Sequence, residues 1–97
     1  MRPFLLFIFL GVSVLAGAQN KYTLNGYIKD STNGESIISA TFSINGKSIT
    51  SNQYGFYSLT LEEGEYDALV SHVSYLTQSF HVNLHTNIQH NIFLLPK

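Results

Sequence analysis

Apolar and polar side chains alternate one by one along almost the whole chain from Lys21 onward. This alternation limits the possible folds more than any other feature of the sequence. A helical spacing of three or four residues gains no support over any segment. Because successive side chains of a strand point to opposite faces of a sheet, a period of two predicts half-buried strands. The sequence therefore predicts an all-β fold.

Seven strands are predicted, separated by turns rich in Gly, Asn and Ser. They cover residues 22–29, 38–44, 47–50, 56–61, 65–73, 77–84 and 88–95. Asn45-Gly46 lies between two of these strands and is a strong hairpin signal, because both central residues of a type I′ turn need a positive φ. Strands at this spacing predict a single seven-stranded β-sandwich, with two sheets about 10 Å apart.

One side chain in two is predicted to face the core. The predicted inward positions are Tyr22, Leu24, Gly26, Ile28, Ile38, Ala40, Phe42, Ile44, Tyr57, Leu59, Leu61, Tyr66, Ala68, Val70, His72, Gln78, Phe80, Val82, Leu84, Ile88, His90, Ile92 and Leu94. The last strand is apolar on both sides around Phe93, Leu94 and Leu95, which predicts a central or covered place in its sheet. The alternative is an exposed edge that is prone to aggregation.

Residues 1–18 have the features of a cleaved signal peptide. Arg2 supplies the positive charge, Phe4–Ala16 is an apolar run, and Ala16-Gly17-Ala18 forms a small-residue cleavage site. The apolar run is too short for a transmembrane helix, which needs about 20 residues. We expect a mature domain of residues 19–97 that begins at Gln19 and has no transmembrane segment.

Composition excludes several classes of function. Charged residues make up 11% of the chain and the formal net charge is −1, so a basic surface for nucleic acid is not expected. The absence of cysteine excludes disulfides, a cysteine nucleophile and a lipid-bearing thiol. A domain this small has little room for a deep catalytic cleft. We therefore expect neither an enzyme nor a bound cofactor.

Histidines and acidic residues are the possible metal ligands. The chain has four histidines, His72, His81, His85 and His90. Although His81 and His85 are four residues apart, they fall on a strand and its following turn, where their side chains need not converge. The acidic residues at positions 62, 63 and 65 lack the ligand pattern of a calcium loop. No Gly-x-Ser-x-Gly motif or phosphate-binding glycine loop is present. We expect surface or sheet-packing histidines and no metal site.

Three tyrosines form a possible ligand platform. Tyr27, Tyr54 and Tyr75 fall on outward positions or turns, near several Asn and Gln residues. Tyrosine rings can stack on sugars, and amide groups can hydrogen bond to sugar hydroxyls. The alternative is that Tyr54 and Tyr75 pack over the ends of the sandwich.

Several motifs resemble one known domain family. The segment LNGYIKDSTNGESIISAT at residues 24–41 resembles the opening of the carboxypeptidase regulatory-like β-sandwich, in which a strand ends in Gly-x-Val/Ile-x-Asp before a Thr-x-Gly-Glu loop. TSNQYGFYSL at residues 50–59 is similar to its Thr-x-Asp-x-x-Gly-x-Tyr/Phe-x-Leu turn, and residues 64–75 are similar to its Gly-x-Tyr-x-Leu-x-Val-Ser-x-x-Gly-Tyr strand. The resemblance implies a Greek-key, transthyretin (prealbumin)-like sandwich.

The sequence keeps some family glycines and replaces others. Those retained in turns or strands are Gly26, Gly34, Gly55 and Gly64. Three of them precede strands where the chain must reverse, whereas Gly26 lies in mid-strand, where a missing side chain lets another segment approach. Asn52 replaces the usual Asp, and Ala68 replaces the usual Leu. Ser39 and Ser74 replace glycines, which implies that the backbone there needs no positive φ or is slightly strained.

The resemblance also implies a function. Such sandwiches are similar to the N-terminal periplasmic domain that precedes the plug and barrel of SusC-like, TonB-dependent outer-membrane receptors in Bacteroidetes-type bacteria. It implies a non-catalytic, exported accessory or interaction domain associated with the outer membrane, with a receptor plug and barrel or another envelope protein as partner. Because the sequence stops at Pro96-Lys97, a truncated or free-standing form is expected. The alternative is an independent secreted module that binds carbohydrate or protein.

Overall fold

The structure is a computed structural model that describes residues 20–97. The predicted signal peptide, residues 1–18, lies outside the described residues. The eight strands are β1 (Lys21–Asp30), β2 (Thr41–Ile44), β3 (Lys47–Thr50), β4 (Phe56–Glu62), β5 (Gly64–His72), β6 (Tyr75–Leu84), β7 (Ile88–Gln89) and β8 (Ile92–Leu94). Residues 20–97 contain no helix. The predicted all-β class is confirmed.

The strands form two sheets that pack face to face as a sandwich. Sheet 1 has the order β4-β1-β7, with β8 also paired to β1, and sheet 2 has the order β3-β2-β5-β6. β1 runs antiparallel to β4 and parallel to β7 and β8. All pairs in sheet 2 are antiparallel. The predicted β-sandwich is confirmed, although the last predicted strand is divided into two.

The core consists of alternate side chains from both sheets, together with Ile37 and Ala40 from the segment between β1 and β2. The buried apolar residues are Leu24, Ile28, Ile37, Ala40, Phe42, Ile44, Tyr57, Leu61, Ala68, Val70, Val82, Leu84, Ile92 and Leu94. Phe42 of sheet 2 stacks on Tyr57 of sheet 1, with ring centroids 4.5 Å apart. Burial of a large apolar side chain stabilises a fold by about 1.5–3 kcal/mol. The alternation in the sequence therefore identifies most of the groups that hold the two sheets together.

The Asn45-Gly46 hairpin has the predicted conformation. The two residues have φ values of 50° and 75°, and Ile44 pairs with Lys47 across them. Both central residues therefore occupy the left-handed region that a type I′ turn requires.

Positive φ angles occur at only some of the positions that the family pattern marks as glycine. Gly34 and Gly55 both have a φ of 76°, whereas Gly64 has no positive φ. Ser39 has a φ of 61°, and Ser74 has no positive φ. The two replacements therefore differ: Ser39 carries the cost of a left-handed L-residue, roughly 1–2 kcal/mol, and Ser74 does not.

Sheet 1 contains a close crossing between β1 and the link from β7 to β8. A Cβ atom on Gly26 would lie 2.0 Å from the carbonyl oxygen of His90. The His90 amide donates to the Asn25 carbonyl oxygen, and the Tyr57 hydroxyl donates to the His90 carbonyl oxygen at 2.5 Å. The Asn91 side chain accepts from the Tyr27 amide. The predicted close approach at Gly26 is confirmed, and it divides the last predicted strand.

Some predicted inward positions are wrong. Ile38 is 54% exposed and Ile37 is buried instead, because β2 begins only at Thr41 and the left-handed residue at position 39 interrupts the alternation. Gln78 and His90 are exposed. His90 nevertheless packs its ring against Phe80, with centroids 4.5 Å apart.

The last strand was predicted to be central or covered, and a central place is wrong. β7 and β8 lie at the edge of sheet 1, and Phe93 on β8 is 51% exposed. After β8 the chain turns to sheet 2, where the Leu76 amide donates to the Leu95 carbonyl oxygen and the Lys97 amide donates to the Ser74 carbonyl oxygen. The C-terminal residues therefore connect the edges of the two sheets.

Replacing Gly26 with alanine is expected to destabilise the domain by about 3 kcal/mol or more, because the new methyl group cannot fit beside the His90 carbonyl group. Gly64→Ala is the matched control. Its Cβ would meet only the Tyr66 side chain, at ordinary distances of 3.6–3.7 Å, so its effect should stay within about 1 kcal/mol. Urea unfolding measures the change in the free energy of unfolding for both variants. Equal decreases in the two would contradict the close contact between Gly26 and the His90 carbonyl group.

Tyr57→Phe is expected to lower the free energy of unfolding by about 1–3 kcal/mol, because the His90 carbonyl oxygen loses its hydroxyl donor within the sandwich. Tyr66→Phe is the matched control, since the Tyr66 hydroxyl also donates to a carbonyl oxygen, that of Glu62, but at an exposed site. Chemical denaturation of both variants tests the difference. A larger decrease in the free energy of unfolding for Tyr66→Phe than for Tyr57→Phe would contradict this prediction.

Candidate functional site

One end of the sandwich contains a buried carboxylate. Asp30, the last residue of β1, is only 6% exposed. Its Oδ1 atom accepts hydrogen bonds from the Thr32 amide at 2.7 Å and the Thr32 hydroxyl at 2.5 Å. Its Oδ2 atom accepts from the Tyr75 hydroxyl at 2.8 Å. These three donors satisfy the carboxylate and join the end of sheet 1 to the start of β6 in sheet 2.

The same hydrogen bonds shift two pKa values in opposite directions. Donation by the Thr32 hydroxyl and amide, and then by Tyr75, lowers the pKa of Asp30 below its ordinary value of 3.8. The hydrogen bond to Asp30 raises the pKa of Tyr75, and burial adds to this shift. Both shifts favour an ionised Asp30 beside a neutral Tyr75.

A β-bulge explains why Tyr75 is available for this contact. Between the pairs Val70↔Gln78 and His72↔Tyr75, β6 contains one residue more than β5. The extra residue changes the alternation, so Tyr75 lies on the same face as His72 and turns towards the end of β1. Tyr75 was predicted to lie at an outward position or a turn, with packing over a sandwich end as the alternative, and that alternative describes its place at the start of β6.

The outer face of sheet 1 carries a group of aromatic side chains, Tyr27, Phe56 and Phe93, which we term the aromatic face. The Tyr27 and Phe56 rings are 5.2 Å apart between centroids. Lys29 Nζ lies 5.7 Å from the Tyr27 ring centroid, and Lys29 is the register partner of Phe93. The face therefore combines three exposed or half-buried rings with one cation.

The three predicted platform tyrosines occupy different parts of the fold. Tyr27 lies on the outer face of sheet 1, Tyr54 is 63% exposed in the loop between β3 and β4, and Tyr75 contacts Asp30. Ligand binding by these residues stays a prediction. Sequence reasoning missed Phe56 as a neighbour of Tyr27 and Phe93 as a neighbour of Lys29. The outward position of Phe93 in the last predicted strand was the one available signal.

The histidines have acidic or aromatic partners. His81 lies 3.0 Å from both Asp67 and Glu65, and the hydrogen bond to Asp67, followed by that to Glu65, raises the pKa of His81. His85 lies 2.9 Å from Glu63. Within residues 20–97, no group of three or more His, Cys, Asp or Glu side chains has a metal-binding arrangement.

A shallow polar cleft of about 260 Å³ lies at the end of the sandwich opposite Asp30, beside β3 and β4. Its lining residues are Lys21, Asn45, Lys47, Thr60, Leu61, Glu62 and Tyr66. Two of the four lysines of the described region line this cleft, together with one carboxylate.

Residues 20–97 contain no helix that is long and apolar enough to span a bilayer.

Comparison with known proteins identifies the family of this sandwich. The sequence matches the CarboxypepD_reg-like domain family over residues 24–97. The chain therefore belongs to the carboxypeptidase regulatory-like domain family, as its motifs indicated. No curated protein gives a match to this sequence.

Solved structures share the fold. A DUF3823 family protein from Parabacteroides merdae is 18% identical with a TM-score of 0.65, over 81% of this chain and 48% of its own. A protein of unknown function from Bacteroides fragilis, provisionally described as membrane-associated, is 25% identical with a TM-score of 0.65, over 81% of this chain and 29% of its own. A DUF3823 family protein from Bacteroides ovatus is 24% identical with a TM-score of 0.62, over 79% and 44%. This chain thus covers less than half the length of each.

Asp30→Asn is expected to make the domain less stable at pH 7 and to have a smaller effect at pH 3. Because the pKa of Asp30 is lower in the folded state than in the unfolded state, the ionised carboxylate stabilises the fold above about pH 4. This contribution is lost as the pH falls towards the folded-state pKa. Urea midpoints of both proteins at the two pH values measure the effect.

Tyr75→Phe provides the control for this pH dependence. It removes one of the three hydrogen-bond donors to Asp30 and leaves the two from Thr32. Its decrease in stability at pH 7 should therefore be smaller than that of Asp30→Asn. A difference between wild type and Asp30→Asn that stays constant from pH 7 to pH 3 would show that the charge of Asp30 does not contribute.

Proposed function

We propose that this protein is an exported, non-catalytic interaction module that serves as the N-terminal periplasmic domain of a TonB-dependent outer-membrane receptor system. The observation that carries the proposal is the family match over residues 24–97, preceded by a sequence with the features of a signal peptide. Such a leader directs the sandwich to the periplasm, where the plug of a receptor is accessible.

Two features of the relatives support a role within a larger assembly. The sandwich covers 48%, 29% and 44% of the three solved chains, so in those proteins it is one part of a longer polypeptide. One of them is provisionally described as membrane-associated. These relatives come from Bacteroides and Parabacteroides species, which agrees with the Bacteroidetes-type bacteria whose receptors the motifs resemble.

The aromatic face is the surface best suited to such a partner. Tyr27, Phe56 and Phe93 present apolar area together with the Lys29 cation. Aromatic residues are enriched at protein interfaces because they bury a large area and lose little conformational freedom. The outer face of sheet 2 is more polar, with Ser43 hydrogen bonded to Ser48 and His81 paired with two acids.

Export is tested first, in the source bacterium, with the full chain carrying a C-terminal tag. We expect the protein in the periplasmic or outer-membrane fraction, with Gln19 as its first residue by N-terminal sequencing. A variant with Leu5, Leu6 and Ile8 changed to Asp should stay in the cytoplasm, because the apolar run is broken. Cytoplasmic full-length protein from the unchanged gene would contradict the proposal.

Receptor association is tested by photo-crosslinking in the same cells. A crosslinking amino acid replaces Tyr27 on the aromatic face, and Ser48 on the outer face of sheet 2 is the matched control. We expect position 27 to crosslink to a TonB-dependent receptor and position 48 to give at least about tenfold less product. Equal yields at both positions, or no receptor product at position 27, would contradict the proposed partner.

A further inference from the structure

The outer edge of β6 presents backbone groups that have no partner within residues 20–97. Ile44 and Lys47 form the hydrogen-bonded pair of the type I′ hairpin. The backbone groups of Ile44 therefore face β3, and those of its β5 partner, Ala68, face β6. Ala68 is paired with Phe80. It follows that the amide and carbonyl groups of Phe80 point inwards, to β5.

Alternation along β6 then directs the backbone groups of Ser79, His81 and Asn83 away from the sheet. None of these groups takes part in the backbone hydrogen bonds formed outside the strand ladders of the described region. The start of β6 differs, because the Leu76 amide donates to the Leu95 carbonyl oxygen and Tyr75 pairs with Pro96. The C-terminal residues thus cover the first part of the edge and leave the second part open.

The other sheet edges offer shorter open segments. β3 has four residues and begins with Lys47, a charge of the kind that discourages strand addition. At the start of β4, the Phe56 carbonyl oxygen accepts from the Asn52 amide and the Phe56 amide donates to the Asn52 side chain. At its end, the Glu62 carbonyl oxygen accepts from the Tyr66 hydroxyl. At the other edge of sheet 1, β7 and β8 have only two and three residues. The β6 edge is therefore the longest template for an added strand.

We propose that this edge pairs with the β6 edge of a second copy of the chain, so that two copies of sheet 2 form one continuous antiparallel sheet. With Phe80 on the two-fold axis, Ser79 lies opposite His81 of the second copy, and Thr77 lies opposite its Asn83. All the outward backbone groups from Ser79 to Asn83 then gain partners. The pairing cannot extend to residues before Thr77, because the C-terminal residues already cover that part of the β6 edge.

Charge and packing favour a second copy as the occupant. β6 contains no Lys, Arg, Asp or Glu, so antiparallel pairing of two identical strands places no permanent like charges opposite each other. The only titratable group on the outer face of this strand, His81, is already flanked by Asp67 and Glu65 of its own β5. On the inner face, two half-buried Phe80 rings meet at the axis, each beside its own His90. The strand is therefore complementary to itself.

Sedimentation and hydrogen exchange test this pairing with protein purified after expression of the full chain. We expect a reversible dimer, with the amides of Ser79, His81 and Asn83 protected from exchange at high protein concentration and unprotected on dilution. The Ser58 and Thr60 amides on β4 serve as internal controls and should not change with concentration. A protein that remains monomeric up to about 1 mM would overturn the proposal.

Ser79→Lys places a charge beside the axis on the solvent face and should raise the dissociation constant by at least about tenfold. Ser58→Lys, on the outer face of sheet 1, is the matched control and should leave the constant unchanged. Circular dichroism verifies that each variant folds, and Asn83→Lys replaces Ser79→Lys if that variant does not. A dimer that persists unchanged in a folded edge variant would place the interface elsewhere and overturn the proposal.

Discussion

The contact between Gly26 and the His90 peptide determines how the two ends of the chain come together. Because Gly26 has no side chain, the His90 carbonyl group can enter the sandwich beside β1, where the Tyr57 hydroxyl satisfies it. Burying an unpaired carbonyl group would be costly. This single crossing lets β7 and β8 pair with separate parts of β1, and it places His90 over Phe80.

Alternation was sufficient to predict the sandwich, because the core depends on side chains that face one another across the sheets. It predicted the buried faces of β1 and β4 and most of β5. It failed where the backbone departs from regular extension, at the left-handed Ser39 and in the bulge of β6. Neither Ser39 nor the residues around Thr77 are of a type that marks such geometry, so the sequence alone could not reveal it.

The surface was harder to predict than the core. Tyr27 was placed correctly on an outward face because β1 is regular along its whole length. The contact between Tyr75 and the buried Asp30 depends on one additional residue in β6, which the alternation did not reveal. Phe93 became a neighbour of Lys29 only through parallel pairing between distant parts of the chain. Such neighbours depend on strand order, which local periodicity does not contain.

The C-terminal residues have a mechanical consequence. Leu95 forms one backbone hydrogen bond with Leu76 of β6, and Lys97 forms one with Ser74 in the turn before β6, directly after β8 has paired with β1 of sheet 1. Tension applied at Lys97 would therefore reach these two bonds first and would peel the tail from β6 before it loaded the parallel pairing inside sheet 1. The two sheets would separate stepwise, beginning at the C-terminal residues. The remaining strand pairs would carry no load until these residues had been released.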